Sequence, residues 1–373
     1  MSARRIAIVT GTRAEYGLLR TVIRACDARS DLETHVLATG THLLPPAMTI
    51  EEVERECDRV RRVPMQKPGE TGRLDDARAL GRGIEGMADA IDSIEPEVVL
   101  VLGDRIEALA GASAASVGGV ICAHVHGGDR AEGVADEAMR HAITKLAHLH
   151  LPATEQSAER IRAMGEDEWR VHAVGSPAID GLDAIAPDDG AEPLDAVFML
   201  HPIGRDDDME HEFAKRALDA LSGLRVLCMA PNRDAGRAGI VRAIDEACDL
   251  NEQFTKAEHL DRPAFIARLK RLAGDGGALV GNSSAGLIEC AAIGLGVVDL
   301  GDRQAGRERA GNVVHSDGAS ALVIREAFAN ARALSGTAIE HPYGDGRAGE
   351  RVAKLLAEAD FDDRPWRRKR NAY

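Results

Sequence analysis

Short apolar runs rich in β-branched residues recur along the chain, separated by longer stretches in which apolar positions return every three or four residues. The first pattern has the character of a buried strand and the second that of an amphipathic helix. Their alternation predicts βαβ units on parallel sheets. Strands are expected at Arg5–Thr10, Thr34–Ala38, Val98–Leu102, Val120–His124 and His148–Pro152, and again at Val197–Leu200, Arg225–Met229, Gly277–Val280 and Val297–Leu300. The stretch DGLDAIAPDDGAEP, Asp180 to Pro193, is acidic and punctuated by Pro and Gly, which marks a linker. The pattern therefore divides the chain into a first domain over 1–179, a linker over 180–193, a second domain over 194–355 and a tail over 356–373. The expected class is α/β, with two doubly wound domains and a cleft between them. The last helical stretch, Arg347 to Ala359, runs into DRPWRRKRNAY, whose five cations are expected to be solvated or to contact the protein's own acidic surface.

Composition narrows this picture. At 373 residues the chain exceeds one ordinary core, and two domains are the simplest division. Aromatic residues make up only 3% of it against 45% apolar, so Ala, Val, Leu and Ile must fill the interior, as helices on a parallel sheet allow. The net charge of −15 opposes nucleic acid and anionic membrane as partners, so any bound phosphate must be held by a local cationic pocket. Cys26, Cys57, Cys122, Cys228, Cys248 and Cys290 form no CxxC pair and read as reduced thiols, not as disulfides or zinc ligands. The apolar run in MSARRIAIVT is too short for a signal peptide, and nothing approaches the roughly 20 apolar residues that span a bilayer. A cytoplasmic protein is expected.

In an open α/β sheet a ligand binds beyond the carboxyl ends of the strands, where loops turn into helix N-termini. The unusual residues of this chain collect there. After the first strand, GTRAEYG (11–17) opens a helix whose free N–H groups, with Arg13 and Ala14, can receive an anion. GxGxxG is absent, so a dinucleotide fingerprint is not supported. VLGDR puts Asp104 and Arg105 at a strand tip, as a helix cap or as cleft groups. HVHGGD (124–129) follows the next strand, so His124 and His126 are expected to project to one side, with Asp129 close by. A zinc reading would recruit Asp129, His148 and His150, but no HExxH or cysteine cluster accompanies HxH. Acid–base work is favoured, and no metal is expected. In ADEAMRHAITKLAH (135–148), Asp136–Arg140 and Glu137–His141 are i,i+4 pairs that can simply support a helix, while Asp136 can also face the cleft.

The second half places His201 after a strand in HPIGRDD, and Asn232 and Asp234 after the next in APNRDAG. In VGNSSAGLIECAAIG (280–294), Asn282, Ser283 and Ser284 stand where a strand gives way to a helix, so hydroxyls and free N–H groups can converge on a diphosphate. Glu289, one and a half turns further on, is placed to accept from ribose hydroxyls. Arg303, Arg307 and Arg309 in LGDRQAGRERAGNVV supply local positive charge. One domain thus offers acid–base groups and the other a diphosphate cradle, which points to an enzyme acting on a nucleotide-linked substrate.

The stretches TRAEYG, LGDR, HxHGGD, DEAMRHAITKLAH, HP at 201 and 202, PNRDAG, GNSSAGLIE, LGDRQAGRE and YGDG at 343 to 346 occur in an order that resembles the UDP-N-acetylglucosamine 2-epimerase family. The likeness is to its hydrolysing branch in sialic-acid and related nonulosonic-acid pathways. It implies two Rossmann-like domains of the GT-B kind, no metal, no nicotinamide or other cofactor, and a homodimer or homotetramer. It also implies anti elimination of UDP to a 2-acetamidoglucal, then water addition with inversion at C2 to give N-acetylmannosamine or a related 2-acetamido sugar. On that resemblance Arg13, Arg105, His201, Asn232, Ser283, Ser284, Glu289 and Arg303 hold UDP, and Asp104 works at the sugar. Some members have glutamate at the position of His126 and aspartate at that of Ala135, which leaves His126, Asp129 and Asp136 as candidates for the missing roles. The alternatives are a UDP- or GDP-linked 2,4-diacetamido-trideoxy sugar as substrate, a GT-B glycosyltransferase, and a non-catalytic nucleotide-sugar sensor.

Overall fold

The computed structural model describes residues 3–45, 47–70, 72–130, 137–232 and 234–370. Its first sheet contains β1 (Arg4–Thr10), β2 (Leu32–Ala38), β3 (Val60–Arg62), β4 (Val98–Leu102), β5 (Ile121–Val125) and β6 (Leu149–Leu151). The strands are parallel and lie in the order β3-β2-β1-β4-β5-β6. A second parallel sheet holds β7 (Ala196–Met199), β8 (Val226–Met229), β9 (Phe254–Ala257), β10 (Ala278–Gly281), β11 (Gly296–Leu300) and β12 (Val313–Ser316). Its order is β12-β11-β10-β7-β8-β9. Counted from the first strand of each unit, both sheets read 3-2-1-4-5-6. In that arrangement the winding reverses between the first and fourth strands, and the loops there open a crevice at the sheet's carboxyl edge.

Both faces of each sheet are covered, which explains the nearly continuous apolar strands. In the first unit Ile6, Ile8, Val98 and Leu100 point into a core shared with the helices Arg13–Asp27 and Ala348–Glu358. Their neighbours Ala7, Val9, Val99 and Val101 point into another, closed by the helices Arg73–Ile94 and Ile106–Val117. The scarcity of aromatics is met by close approach. A Cβ at Gly111 would stand only 2.8 Å from Val9 Cγ2. In the second unit Phe198, Val280 and Val298 pack beneath the helices Asp207–Ala220 and Ala321–Arg332, while Val197, Leu279 and Val297 meet the helix Arg262–Gly274.

The doubly wound α/β class expected from the pattern is what the chain adopts. The nine expected strands all form, with ends shifted by one or two residues; β3, β9 and β12 were not anticipated. All three are edge strands, exposed along one side, and two of them, VRR and FTKA, carry charged residues that break the apolar run.

The division of the chain also differs from the linear one. Residues to Asp129, Ala135–Asp180 and Tyr343–Tyr373 form one compact unit, and Gly181–Pro342 belongs to the other. The helix Ala348–Glu358 therefore belongs to the first unit and not, as the pattern suggested, mostly to the second. Its buried Val352, Ala353 and Leu356 match the apolar stripe of the helix Arg13–Asp27, a choice that helical period cannot reveal. Among the described residues no helix is long and apolar enough to cross a membrane.

In the second unit the helix Arg237–Leu250 approaches the start of the helix Asp207–Ala220 at Gly239, where a Cβ would lie 1.9 Å from the Asp207 carbonyl oxygen. Gly239→Ala is expected to lower the stability of that unit by roughly 1–3 kcal/mol, despite the better helix propensity of alanine. Denaturant unfolding checks this; an unchanged midpoint would mean that the two helices separate without cost.

Candidate active site

In the first unit the tips of β4 and β5 are joined by one buried cation. Arg140, 4% exposed, lies on the helix Glu137–Leu146 and donates through Nη2 to Asp104 Oδ2. Its Nη1 donates to the His126 carbonyl at 3.2 Å and stands 4.0 Å from Asp129 Oδ2. Asp104 follows β4 after Gly103, whose positive φ of 77° turns the chain at the strand tip. It keeps 20% of its side chain exposed, whereas Asp129 keeps 5%. The network therefore has one accessible carboxylate above a buried base.

His126 terminates β5 with φ at 60°, a left-handed conformation uncommon outside glycine. Its Nδ1 lies 2.8 Å from Asp129 Oδ2 and its Nε2 2.9 Å from Ser176 Oγ. Asp129 also accepts from Ser157 Oγ at 2.9 Å, and the Ser176 oxygen accepts the Ala178 N–H at 3.2 Å. These contacts are all satisfied when Nδ1 carries the proton and the Ser176 hydroxyl donates to Nε2. Nε2 is then the basic nitrogen. The following turn is tight. Gly128, φ 77°, would carry a Cβ 2.2 Å from the Ser157 carbonyl.

His124 does not share this site. Alternation along the strand suggested that it and His126 would project to one side, but the chain leaves β5 at Val125 and His126 turns away. His124 is fully buried, its Nε2 donating to the Gly103 carbonyl at 2.8 Å and its Nδ1 accepting from Thr144 Oγ1 at 3.2 Å. Burial pushes its pKa down to about 3, so it is a neutral brace for the turn that carries Asp104. The zinc candidates have separate partners: His148 Nδ1 accepts the Cys122 N–H, His150 faces Glu166, and Asp129 faces His126. Among the described residues no group of three or more His, Cys, Asp or Glu is placed to hold a metal ion. Asp136 lies outside the described residues.

The first turn of each unit is filled by the protein itself. The Gly11 N–H, expected to receive an anion, donates to Glu15 Oε2 at 2.7 Å, and Thr12 caps the helix by accepting the Glu15 N–H. Arg13 is paired with Glu52 at 3.2 Å, Ala14 is exposed, and Arg105 stands 3.4 Å from the fully buried Glu107. In the second unit the Ile203 N–H donates in the same way to the buried Glu210 at 2.8 Å. A glutamate side chain from the start of each helix thus occupies the N–H donor that an external ligand would otherwise use.

That leaves the turn after β10. Gly281, φ 155°, lets the strands close up, since a Cβ there would lie 2.0 Å from the Met199 carbonyl oxygen. Asn282 then clasps the tip of β7. Its Oδ1 accepts the His201 N–H at 2.7 Å and its Nδ2 donates to the His201 carbonyl at 2.8 Å. His201 Nδ1 accepts the Asn232 N–H at 3.2 Å, which leaves Nε2–H as a donor. Desolvation and the Arg303 guanidinium hold this imidazole neutral, with its pKa at about 3. Arg303 donates to the Asn282 carbonyl at 3.2 Å, and Ser283 caps the short helix beginning at Ser284. Ile203, Arg205, Phe213, Asn282, Gly301 and Arg303 line a small recess beside this turn. Asn232 donates to Asp234 at 2.6 Å, and Glu289 accepts from Arg262 at 3.1 Å.

The structure thus brings Asp104, His126 and Asp129 together in one unit and His201, Asn232, Asn282 and Arg303 in the other. Arg140, Ser157 and Ser176 join these groups only through the tertiary structure. Arg140 looked like a helix-supporting partner of Asp136, and nothing local marks the two serines.

Comparison with known proteins agrees with these motifs. A family model described as UDP-N-acetylglucosamine 2-epimerase matches residues 24–357. A Legionella pneumophila protein named UDP-N,N'-diacetylbacillosamine 2-epimerase (hydrolyzing) is 34% identical over 95% of each chain. A Neisseria meningitidis protein named UDP-N-acetylglucosamine 2-epimerase is 30% identical over 84% of each. Among solved structures, UDP-GlcNAc 2-epimerase from Neisseria meningitidis, bound to UDP-GlcNAc, superposes with a TM-score of 0.80 at 17% identity, covering 95% of this chain and all of that one, a likeness of fold.

Glu15 offers a test of the filled turn. Burial, reinforced by the Glu107 charge, raises its carboxyl from the ordinary 4.5 to about 8. The folded chain therefore binds a proton there that the unfolded chain has lost, and the stability present below the lower value disappears as pH rises through the higher one. Glu15→Gln is expected to flatten the fall in thermal midpoint between about pH 5 and about pH 8. An unaltered slope in the variant would assign that titration to another group.

Proposed function

The chain belongs to the UDP-N-acetylglucosamine 2-epimerase family, and from that membership we propose that it is a hydrolysing nucleotide-sugar 2-epimerase. Its substrate in this reading is UDP-N-acetylglucosamine, and its products are UDP and N-acetylmannosamine. The observation that carries the reading is the Asp104–Arg140–Asp129–His126 network, in which two kinds of proton carrier meet around one buried guanidinium.

The chemistry needs a base for a weakly acidic C2 proton. We assign that step to His126. Asp129 holds the Nδ1 proton, so Nε2 is free to accept once the Ser176 hydroxyl yields it. The C2–H electron pair becomes the C1–C2 double bond while the C1–O bond breaks, and its pair leaves on the diphosphate. The intermediate is a 2-acetamidoglucal. Water then adds its hydroxyl to C1, and a proton returns to the opposite face of C2. Asp104, accessible and oriented by Arg140, is assigned to this second transfer. The N–H and hydroxyl groups of Ser283 and Ser284, the His201 Nε2–H and Arg303 would neutralise the departing diphosphate, and Glu289 would accept from ribose.

A second substrate has a specific argument in its favour. The relative at 34% identity is named for UDP-N,N'-diacetylbacillosamine, a 2,4-diacetamido-trideoxy sugar. The same elimination and hydration would then release a 2,4-diacetamido product.

Incubating the protein with UDP- and GDP-linked 2-acetamido sugars in deuterated water is expected to release free nucleoside diphosphate without an acceptor, with deuterium at C2 of the sugar. Absence of diphosphate release from every donor would overturn the hydrolytic reading, and an intact C2–H would exclude the elimination. A kcat/KM at least tenfold higher for the 2,4-diacetamido donor would select the second substrate, since ten-fold corresponds to about 1.4 kcal/mol of transition-state discrimination. For His126→Gln we expect C2 exchange to fall by roughly 100-fold or more with UDP affinity held within about twofold. Undiminished exchange would transfer the role of base to a neighbouring carboxylate.

A further inference from the structure

The basic end of the chain is anchored. Phe361 and Trp366 are buried in the first unit's core, and Trp366 packs edge-on against Trp169 with ring centres 4.7 Å apart. Arg170, 1% exposed, lies over both indoles and donates to the carbonyls of His148, Pro365 and Trp366. From this anchorage Lys369 reaches inward, with only 16% of its side chain exposed.

Lys369 Nζ meets the carbonyls of Thr144, Lys145 and Ala147 at 2.9, 2.6 and 2.7 Å, and Glu166 Oε2 at 2.9 Å. Those carbonyls are orphan acceptors at the C-terminus of the helix Glu137–Leu146, where a cation also complements the helix dipole. Glu166 is itself held by Lys145 and His150. The clamped helix is the one whose other residues build the acid–base network. Arg140 grips Asp104 and the His126 carbonyl, and Thr144 Oγ1 touches His124.

We infer that Lys369 is a positioning residue for the acid–base network, fixing the height and rotation of the helix Glu137–Leu146 from a point more than 200 residues away in sequence. The inference rests on the reading of that network as the site of proton transfer. The ammonium touches no reacting atom in this account. It acts through the helix, and a displacement of Arg140 of the order of an ångström is enough to disturb the carboxylates it orients.

The test compares the full-length chain with Lys369→Met and Lys369→Arg. In the methionine variant kcat should fall roughly tenfold or more, with KM and UDP affinity within about twofold, at a temperature well below its melting point. Arginine, which keeps the charge and several donors, should restore most of the loss. Hydrogen–deuterium exchange, which needs no substrate, should rise over residues 137–148 in the methionine variant and stay unchanged over residues 237–250 of the other unit. Unaltered exchange in 137–148, or altered exchange with unaltered kcat, would overturn the inference. No diphosphate release by the unsubstituted chain would instead sink the functional reading and leave the exchange comparison to decide whether Lys369 fixes the helix.

Discussion

A guanidinium taken out of water must find negative partners, and Arg140 is almost wholly buried. The acid–base side of this protein follows from that requirement. Asp104 comes from the turn after β4, Asp129 and the His126 carbonyl from the turn after β5, and the cation from the next helix. Two turns and a helix are thus drawn to one point. The accessible carboxylate is held still, and the backbone at His126 is kept in its left-handed turn by a hydrogen bond to its own carbonyl. The carboxyl ends of adjacent parallel strands meet where such a cation can serve them all.

The two units repeat one topology and put it to different uses. Each has the strand order 3-2-1-4-5-6, and each closes its first turn with a glutamate from the following helix, Glu15 in one and Glu210 in the other. With that position occupied in both, the turns after the fourth strands differentiate the units. In the first unit that turn carries a carboxylate and rests on the neutral His124. In the second it carries Asn282, whose amide pairs with both backbone groups of the neutral His201, and which lines a recess together with Arg303. The first arrangement suits moving protons, and the second suits neutralising an anion. A strongly acidic chain can hold a diphosphate only if such donors are gathered locally.

Some of this was legible from local pattern. The apolar runs located the eight interior strands and the wholly buried edge strand β6, because both faces of each sheet are covered, which makes those strands nearly uniform in hydrophobicity. The edge strands VRR and FTKA were missed because an exposed side tolerates charge. The motifs LGDR, HVHGGD, HPIG and GNSS were recognisable because glycine and polar residues directly after an apolar run mark a strand tip. Their partners were not. Arg140 carries the ordinary signature of a surface helix pair, and Ser157 and Ser176 stand in stretches that look like a cap and a turn.

What the amino-acid sequence determined by itself is therefore the class of fold, the position of most strands, and the residue types available at each strand tip. These depend on periodicity and on glycine, which act over a few residues. Only the tertiary structure decided that the helix Ala348–Glu358 belongs with the first unit, that HVHGGD splits into a buried brace at His124 and a hydrogen-bonded pair at His126 and Asp129, and that Lys369 caps the helix bearing Arg140. Such choices depend on which charges are desolvated together and which apolar faces fit. Those quantities arise only when distant segments are packed against one another.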